Sequence, residues 1–411
     1  MSETKLIVLG NGFDLACGLN SRYADFFKER IPNEVAQSLT LAWQNFNEVF
    51  RQPKSINTSN INFETIFDAR GRYLENRGNN SSVTLIVNTE QQLLDKIKPA
   101  ELSFWDIVLF YFQEFEDKNL EDVKWQDIES RMLDFLTQDI TGKPQLNKLL
   151  NDTQDGRLDK INWFCLHITA LLSDRYTQYE EENFLQYVYD ELVLFEQAFV
   201  KFLNSELTNN PSYHPQALDL LLKMTGEKDR LTLIESPHKI MSFNYTAPLK
   251  GIDITNVHGT LESGKIIFGI DQEQIDVDDA IFRFTKTFRQ MTETPISKNN
   301  GHNILPRKEE LSEIMFFGHS LSPLDYSYFQ TLFDYYNLYD SDLKLVFFYK
   351  VYEGTTALDM ELDLSEKISK MLREYALSID NEKKGKNLMH KLLLEKRLNI
   401  EEVPLFQIVS N

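Results

Sequence analysis

Four short segments of the chain carry residues that could bind a nucleotide or move a proton. The first, residues 10–26, reads GNGFDLACGLNSRYADF and places a glycine-rich turn directly after an apolar stretch. Such a turn directs backbone N–H groups toward an anion at the start of the next helix. The spacing departs from the dinucleotide fingerprint G-x-G-x-x-G, so a tight turn before a helix capped by Asp14 is an equal alternative. The candidate nucleotide-binding residues here are Gly10, Asn11, Gly12, Phe13, Asp14 and Gly18.

The second and third segments put an amide and an imidazole at the ends of two strand-like runs. Asn244 follows KIMSF, and His258 with Gly259 follows IDITNV. In a doubly wound sheet the carboxyl ends of the strands line the ligand crevice, where Asn244 would hold a hydroxyl or a water and neutral His258 would accept a proton. An asparagine that begins a turn and a purely structural histidine are the alternatives. We expect Asn244 and His258 to be catalytic and Gly259 to contact the nucleotide.

The fourth segment, residues 316–329, reads FFGHSLSPLDYSYF and begins at the end of another strand-like run, EIMFF. A glycine at a strand end, followed by a hydroxyl, is typical of a second phosphate-binding turn. The candidate nucleotide-binding residues of this segment are Gly318, His319, Ser320 and Asp325.

The order of strand-like and helical patterns predicts the scaffold that brings these segments together. Most strand-like runs are continuously apolar, as parallel strands covered on both faces would be, and helical patterns alternate with them. The pattern predicts an α/β fold with a doubly wound, mostly parallel, Rossmann-like sheet formed by residues 1–30 and 236–411. Between these parts, apolar residues three and four positions apart predict a large helical insertion over residues 31–235. The strand-like runs are 5–9, 239–243, 252–257, 265–270, 313–317 and 343–349.

The charge of the chain argues against a nucleic-acid substrate. Of 411 residues, 43 are lysine or arginine and 63 are aspartate or glutamate, which gives a net charge of −20. Such a surface repels a polyanion on average, although a local basic groove would be compatible with RNA. No apolar run approaches the roughly 20 residues of a transmembrane helix, and the N-terminal run is too short for a secretory signal. We expect a cytoplasmic protein without membrane contact.

Two other features favour structural roles over chemistry. Cys17 and Cys165 form no C-x-x-C pair and the histidines show no ligand spacing, so no metal site is expected. The segment WQDIE, residues 125–129, is typical of a helix start with acidic residues in its first turn. A catalytic carboxylate pair is disfavoured there, because Asp127 and Glu129 would diverge on a helix.

In their order along the chain, the four segments and WQDIE resemble the AbiH-like bacteriophage abortive-infection family. Membership would imply a bacterial anti-phage defence protein that stops the growth of the infected cell. It would also imply a phage-derived trigger and leaves open whether the helical insertion is a lid, a phage sensor or a contact between copies of the chain.

The same segments are distantly similar to sirtuins and to sirtuin-like defence NAD hydrolases. This likeness implies that Asn244 holds the nicotinamide ribose and a water, that His258 is the general base, and that the glycine turns contact phosphates and adenosine. Asp14 stands where that family has serine, and Thr246 where it usually has aspartate. Without C-x-x-C pairs the zinc module of the protein deacylases is missing. The likeness therefore implies hydrolysis of NAD to nicotinamide and ADP-ribose, with NAD as the substrate and no further cofactor.

Two other functions stay open at this stage. The chain could be a nucleotide-binding sensor or toxin component without catalysis, which would bind NAD or ADP-ribose and release no product. It could also be an RNA-cleaving effector, against which the negative charge and the lack of a metal-binding carboxylate cluster weigh.

Overall fold

The computed structural model describes residues 4–50, 92–115, 125–137, 184–272, 275–294 and 304–403, with separate positions at Ile161, Phe164, Cys165, Ile168, Thr169, Leu172 and Ile296. By their internal contacts the residues form two compact units. The first comprises Met1–Arg22, Phe199–Gln274 and Thr285–Asn411, and the second comprises Tyr23–Ala198 and Ile275–Phe284. The domain boundaries after residues 30 and 235 stay a prediction.

The first unit is built on a six-stranded parallel sheet, with a separate two-stranded antiparallel hairpin. The strands are β1 (Thr4–Leu9), β2 (Lys239–Ser242), β3 (Asp253–Asn256), β4 (Gly259–Thr260), β5 (Lys265–Ile266), β6 (Leu311–Phe317), β7 (Lys344–Tyr349) and β8 (Leu398–Glu402), of which β4 and β5 form the hairpin.

The helices of the described residues are numbered in chain order across both units. They are α1 (Asn11–Ala16), α2 (Tyr23–Arg30), α3 (Asn33–Phe50), α4 (Phe104–Phe115), α5 (Trp125–Thr137), α6 (Phe184–Asn209), α7 (Tyr213–Thr225), α8 (Arg230–Glu235), α9 (Lys286–Glu293), α10 (Tyr326–Tyr335), α11 (Ala357–Ser378) and α12 (Glu382–Leu394).

The sheet is covered on both faces, which explains why its strands are continuously apolar. Along β1, Leu6 and Val8 pack into one hydrophobic cluster. Ile7 and Leu9 pack into another. Successive side chains of a strand point to opposite faces of the sheet. All four of these side chains are fully buried, because each face is covered by one of the two clusters. The structure confirms the predicted α/β fold, with helices between β1 and β2 as the insertion.

The order of the strands creates one place where a ligand crevice is expected. The sheet runs β3-β2-β1-β6-β7-β8, so the chain adds β2 on one side of β1 and later returns to add β6 on the other side. In such open parallel sheets the crevice lies outside the carboxyl ends of the strands, where the order reverses. The place where the order reverses, which we call the switch point, lies between β1 and β6.

The structure differs from the predicted strands at two places. The run 265–270 does not join the parallel sheet, since only Lys265–Ile266 is a strand, paired with Gly259–Thr260 across a turn that contains Gly264. The edge strand β8 was not expected, because its sequence LNIEE is short and exposes Glu401 and Glu402. Charged side chains are common on edge strands, where they discourage pairing with another chain.

Backbone packing between two turns closes the switch point. Gly10 N–H donates to the Phe317 carbonyl at 3.1 Å, and Gly12 N–H donates to the Gly318 carbonyl at 2.8 Å. A Cβ atom at Gly318 would lie 2.2 Å from the Phe13 nitrogen, and one at Gly10 would lie 2.4 Å from the His319 Cα. Only glycine allows the two turns to come this close.

We expect Gly318→Ala to cost far more stability than alanine at an open position with the same backbone conformation. Gly318 has φ +70° and no room for a Cβ, whereas Gly264 has φ +65° and no atom within 4 Å of a Cβ. Gly264→Ala should cost about 1 kcal/mol of unfolding free energy, from backbone strain alone. Gly318→Ala should cost about 3 kcal/mol or more, since overpacking is added.

Urea unfolding followed by far-ultraviolet circular dichroism measures the difference. Tryptophan fluorescence would follow the wrong unit, because all four tryptophans fall in the second one. Equal costs at the two glycines would show that the turns can separate without penalty.

Candidate functional site

The four segments singled out in the sequence meet at the carboxyl edge of the sheet. Asn244 Nδ2 donates to the Gly10 carbonyl at 3.0 Å, which joins the second segment to the first. The close approach of Gly12 and Gly318 joins the first to the fourth. The Phe243 ring contacts the rings of His258 and His319, with centroids 5.6 and 4.4 Å away. The predicted juxtaposition of the segments therefore exists in the fold.

Asn244 and Asp14 belong to a buried polar group that we call the Asp14 cluster, made of Asp14, Tyr213, Thr246, Asn244 and Asn256. Tyr213 Oη and Thr246 Oγ1 donate to the Asp14 carboxylate at 2.7 and 2.9 Å. Asn256 Nδ2 donates to the backbone carbonyls of Asn244 and Thr246. The cluster ties the start of α1, the start of α7 and the loop after β2 together.

The Asp14 carboxylate is held without a cationic hydrogen-bond or ion-pair partner among the described residues. Burial raises the pKa of Asp14 to about 6, although hydrogen bonds from Tyr213, Thr246 and Asn244 act to lower the pKa. Asp14 does not cap α1 with its side chain, because the helix is preceded by Gly10 and has no side-chain cap. The predicted capping role is therefore replaced by a cross-link between three parts of the unit.

His258 and His319 belong to a second group, the imidazole cluster, made of His258, His319, Lys286, Asp325 and Tyr328. Lys286 Nζ lies 3.2 Å from Asp325 Oδ1, and His319 Nε2 lies 3.6 Å from Asp325 Oδ2. Tyr328 Oη lies 3.5 Å from His258 Nε2. Gln290 Nε2 donates to both Tyr328 Oη and the Val257 carbonyl.

The environment of the imidazole cluster keeps both histidines neutral at pH 7. Burial, with the nearby charge of Lys286 second, lowers the pKa of His258 to about 3. Burial lowers the pKa of His319 to about 4, with Asp325 acting in the opposite direction. For Asp325 burial is the largest single influence and acts to raise the pKa, but Lys286, His319 and His258 together outweigh it and the pKa is lowered. Lys286 and Asp325 therefore form the ion pair of this cluster.

A backbone contact determines which nitrogen of His319 carries the proton. The Leu321 N–H donates to His319 Nδ1 at 2.9 Å, so in the neutral ring the proton is on Nε2, which faces Asp325. Leu321 has φ +51°, an uncommon left-handed conformation for a branched residue. Such strain is often found at functional sites, where the surrounding structure maintains it.

The two predicted catalytic residues have different neighbours. The Asn244 side chain donates a hydrogen bond to the carbonyl of Gly10, directly after β1, whereas the His258 ring contacts the rings of Phe243 and Tyr328. The exposed fraction is 5% for Asn244 and 7% for His258, so both side chains are buried.

Several predicted nucleotide-binding residues make contacts within the protein. Asn11 Oδ1 accepts from the Ser21 hydroxyl, and Phe13 packs edge-on against Phe317. Gly18 follows α1 in the left-handed region, and its carbonyl accepts from Asn210 Nδ2. These contacts account for the residues structurally and leave their predicted ligand contacts untested.

Gly259 and Ser320 have different surroundings from each other. A Cβ at Gly259 would lie 2.3 Å from the Lys265 carbonyl oxygen, so the β4–β5 hairpin requires glycine there. Ser320 is exposed in the turn that follows β6.

Sequence reasoning missed Tyr213 of the Asp14 cluster, Lys286 of the imidazole cluster, and Gln290, which donates to Tyr328 of the imidazole cluster. Lys286 and Gln290 lie on α9, where their polar side chains look like those of any surface helix, and Tyr213 begins α7 within the predicted insertion. No local signal marks them, since their role depends on contacts with residues 33 to 199 positions away.

Among the residues that the structure describes, no group of three or more His, Cys, Asp or Glu side chains could hold a metal ion. No described helix combines the length and the apolar character needed to cross a bilayer.

The fold is that of an open α/β protein with a parallel sheet, and its polar clusters lie at the carboxyl edge of this sheet. The family model of the bacteriophage abortive infection protein AbiH matches residues 6–349. This match spans most of the chain, and the chain therefore belongs to the bacteriophage abortive infection AbiH family. Family membership confirms the expectation that this is an anti-phage defence protein of the abortive-infection type, whereas the similarity to sirtuins stays a prediction. No curated protein and no solved structure matches the chain.

We expect Asp14→Asn to remove a pH-dependent part of the stability around β1 and α1. Because the folded-state pKa is about 6 and the ordinary value is 3.8, the folded protein binds this proton more tightly than the unfolded chain. The resulting stabilisation is complete below the ordinary pKa and is lost as the pH rises through 6. Between pH 7.5 and pH 5 the native chain should gain about 1 kcal/mol from this group, and Asp14→Asn should not.

Hydrogen–deuterium exchange of peptides from β1 and α1 measures the effect at the two pH values. The protection of the native chain relative to Asp14→Asn should rise about fivefold at pH 5. Asp342→Asn, which alters an exposed carboxylate before β7, is the control and should follow the native chain. A pH-independent ratio for Asp14→Asn would show that Asp14 is not a buried ionisable group.

Proposed function

We propose that this AbiH-family protein hydrolyses NAD to nicotinamide and ADP-ribose at the switch point of its sheet. The observation that carries the proposal is the meeting of four separate segments at the carboxyl ends of β1, β2, β3 and β6. Dinucleotides bind at such a point in α/β proteins. An amide, neutral imidazoles and an ion pair in one buried region supply groups for orienting a ribose and for accepting a proton.

In the proposed reaction the bond between C1′ of the ribose and N1 of nicotinamide breaks, and nicotinamide leaves as a neutral molecule. The electron pair of the bond stays on the nicotinamide nitrogen, and the ribose passes through an oxocarbenium-like state. A water oxygen forms the new bond to C1′, and its proton passes to His258 and then to solvent. Asn244 orients the ribose or the water, which reduces the entropy that the reaction must lose.

The protonation state of His258 suits a proton acceptor, but its low pKa makes it a weak one. With a pKa of about 3 the ring is unprotonated at pH 7. General bases work best when their pKa lies near the operating pH. A substrate whose negative charge offsets that of Lys286 would therefore strengthen the base.

The burial of the site bears on when the protein would act. Since the exposed fraction of His258 is 7%, Phe243 and Tyr328 must shift before a substrate reaches the imidazole. This burial supports a protein that is inactive until triggered, and the phage-derived trigger expected from the family is the natural candidate.

We expect His258→Ala to lower the rate of nicotinamide release by about 10² to 10⁴, since a general base contributes that much. Purified protein is incubated with NAD, with and without phage lysate, and free nicotinamide is measured by chromatography. His390→Ala, which alters an exposed histidine on α12 of the same unit, is the control and should retain the native rate.

Two results would contradict the proposal. Equal rates in the native chain and His258→Ala would remove His258 from the reaction. Saturable NAD binding without nicotinamide under any condition would favour the nucleotide sensor.

A further inference from the structure

The proposed substrate poses an electrostatic problem for this protein. The diphosphate of a dinucleotide is anionic, whereas the chain has a net charge of −20. Long-range repulsion from such a surface disfavours an anion unless a local cation compensates for it. The binding site of a dinucleotide therefore needs a positive group of its own.

The backbone N–H groups of the glycine turn after β1 compensate the charge of an anion less than the sequence indicates. The N–H groups of Gly10, Gly12 and Phe13 donate to the carbonyls of Phe317, Gly318 and Gly10. These amides are satisfied within the protein, and phosphate binding through them would break existing hydrogen bonds. The helix that follows has only six residues. The compensating charge must come from elsewhere at this edge.

Lys286 is a buried cation within the imidazole cluster. It begins α9, its side chain is 8% exposed, and its Nζ lies 3.2 Å from Asp325 Oδ1. A buried ion pair of this kind contributes little to stability, because desolvation of two charges offsets most of their attraction. Two charged side chains in the interior beside two histidines are therefore candidates for a role in function.

We propose that Lys286 binds the diphosphate of a dinucleotide substrate, exchanging its ion pair with Asp325 for phosphate oxygens. This inference rests on the proposed function. After the exchange the N–H donor nearest to the carboxylate in the cluster is Nε2 of neutral His319, which lies 3.6 Å from Asp325 Oδ2 and would move closer to form a hydrogen bond. Such a hydrogen bond would reduce the penalty of leaving the buried Asp325 carboxylate without its cation.

The same exchange would strengthen the proposed base. The charge of Lys286 is one cause of the lowered pKa of His258, after burial. Phosphate bound to Lys286 would offset this charge and raise the pKa of His258 toward the range in which a base is effective. The other groups that face the imidazole are Asp325, His319 and Tyr328. Substrate binding and base strength would thus be coupled through one lysine.

Calorimetric titration of the full chain with ADP-ribose tests the assignment. The native chain should bind ADP-ribose with an affinity that falls as salt rises, and Lys286→Met should bind it 10- to 100-fold more weakly with a smaller salt dependence. Lys286→Arg should retain most of the affinity. Lys265→Met removes an exposed lysine of the same unit and should bind like the native chain.

A double variant separates loss of binding from loss of folding. Lys286→Met leaves Asp325 buried without its cation, so the double variant Lys286→Met with Asp325→Asn is tested beside it. Native-like thermal stability of the double variant together with the same loss of ADP-ribose binding supports the role of Lys286. Native-like affinity in Lys286→Met, or no ADP-ribose binding by the native chain, would overturn it.

Failure of the proposed hydrolysis can be distinguished from failure of the Lys286 assignment. If only the hydrolysis is wrong, the native chain binds ADP-ribose through Lys286 but releases no nicotinamide from NAD.

Discussion

The site depends on the contact between two backbone turns at the centre of the sheet. The turn after β1 and the turn after β6 come so close that Gly10, Gly12 and Gly318 leave no space for side chains. Hydrogen bonds from Gly10 and Gly12 to β6 and its turn join strands that are about three hundred residues apart in sequence. The switch point is therefore a rigid junction, and the polar clusters are arranged around it.

Two polar clusters with different electrostatic character meet at this junction. The Asp14 cluster holds a carboxylate by hydroxyl donors, and its role is to join α1, α7 and the loop that carries Asn244. The imidazole cluster holds the ion pair of Lys286 and Asp325 beside two neutral rings. Chemistry that involves an anion fits the second cluster better, since it contains the cation, while the first keeps Asn244 in place.

Much of the scaffold could be predicted because strand and turn signals are local. The apolar runs of β1, β6 and β7 and the glycines at their ends are visible in the sequence, and together they predict a parallel sheet with a crevice at its carboxyl edge. The function of the glycines was harder to predict. A glycine required for backbone packing and one required for phosphate approach look alike, and only the Gly12 to Gly318 hydrogen bond separates them. Lys286 gave no signal, because its partner Asp325 lies on a different element.

The proposed binding of a dinucleotide where β1 and β6 meet is tested by hydrogen–deuterium exchange with and without saturating ADP-ribose. If the dinucleotide binds there, exchange should slow in peptides covering residues 10–16, 242–246, 257–260 and 318–328. Slower exchange confined to the second unit, or no change anywhere, would contradict it.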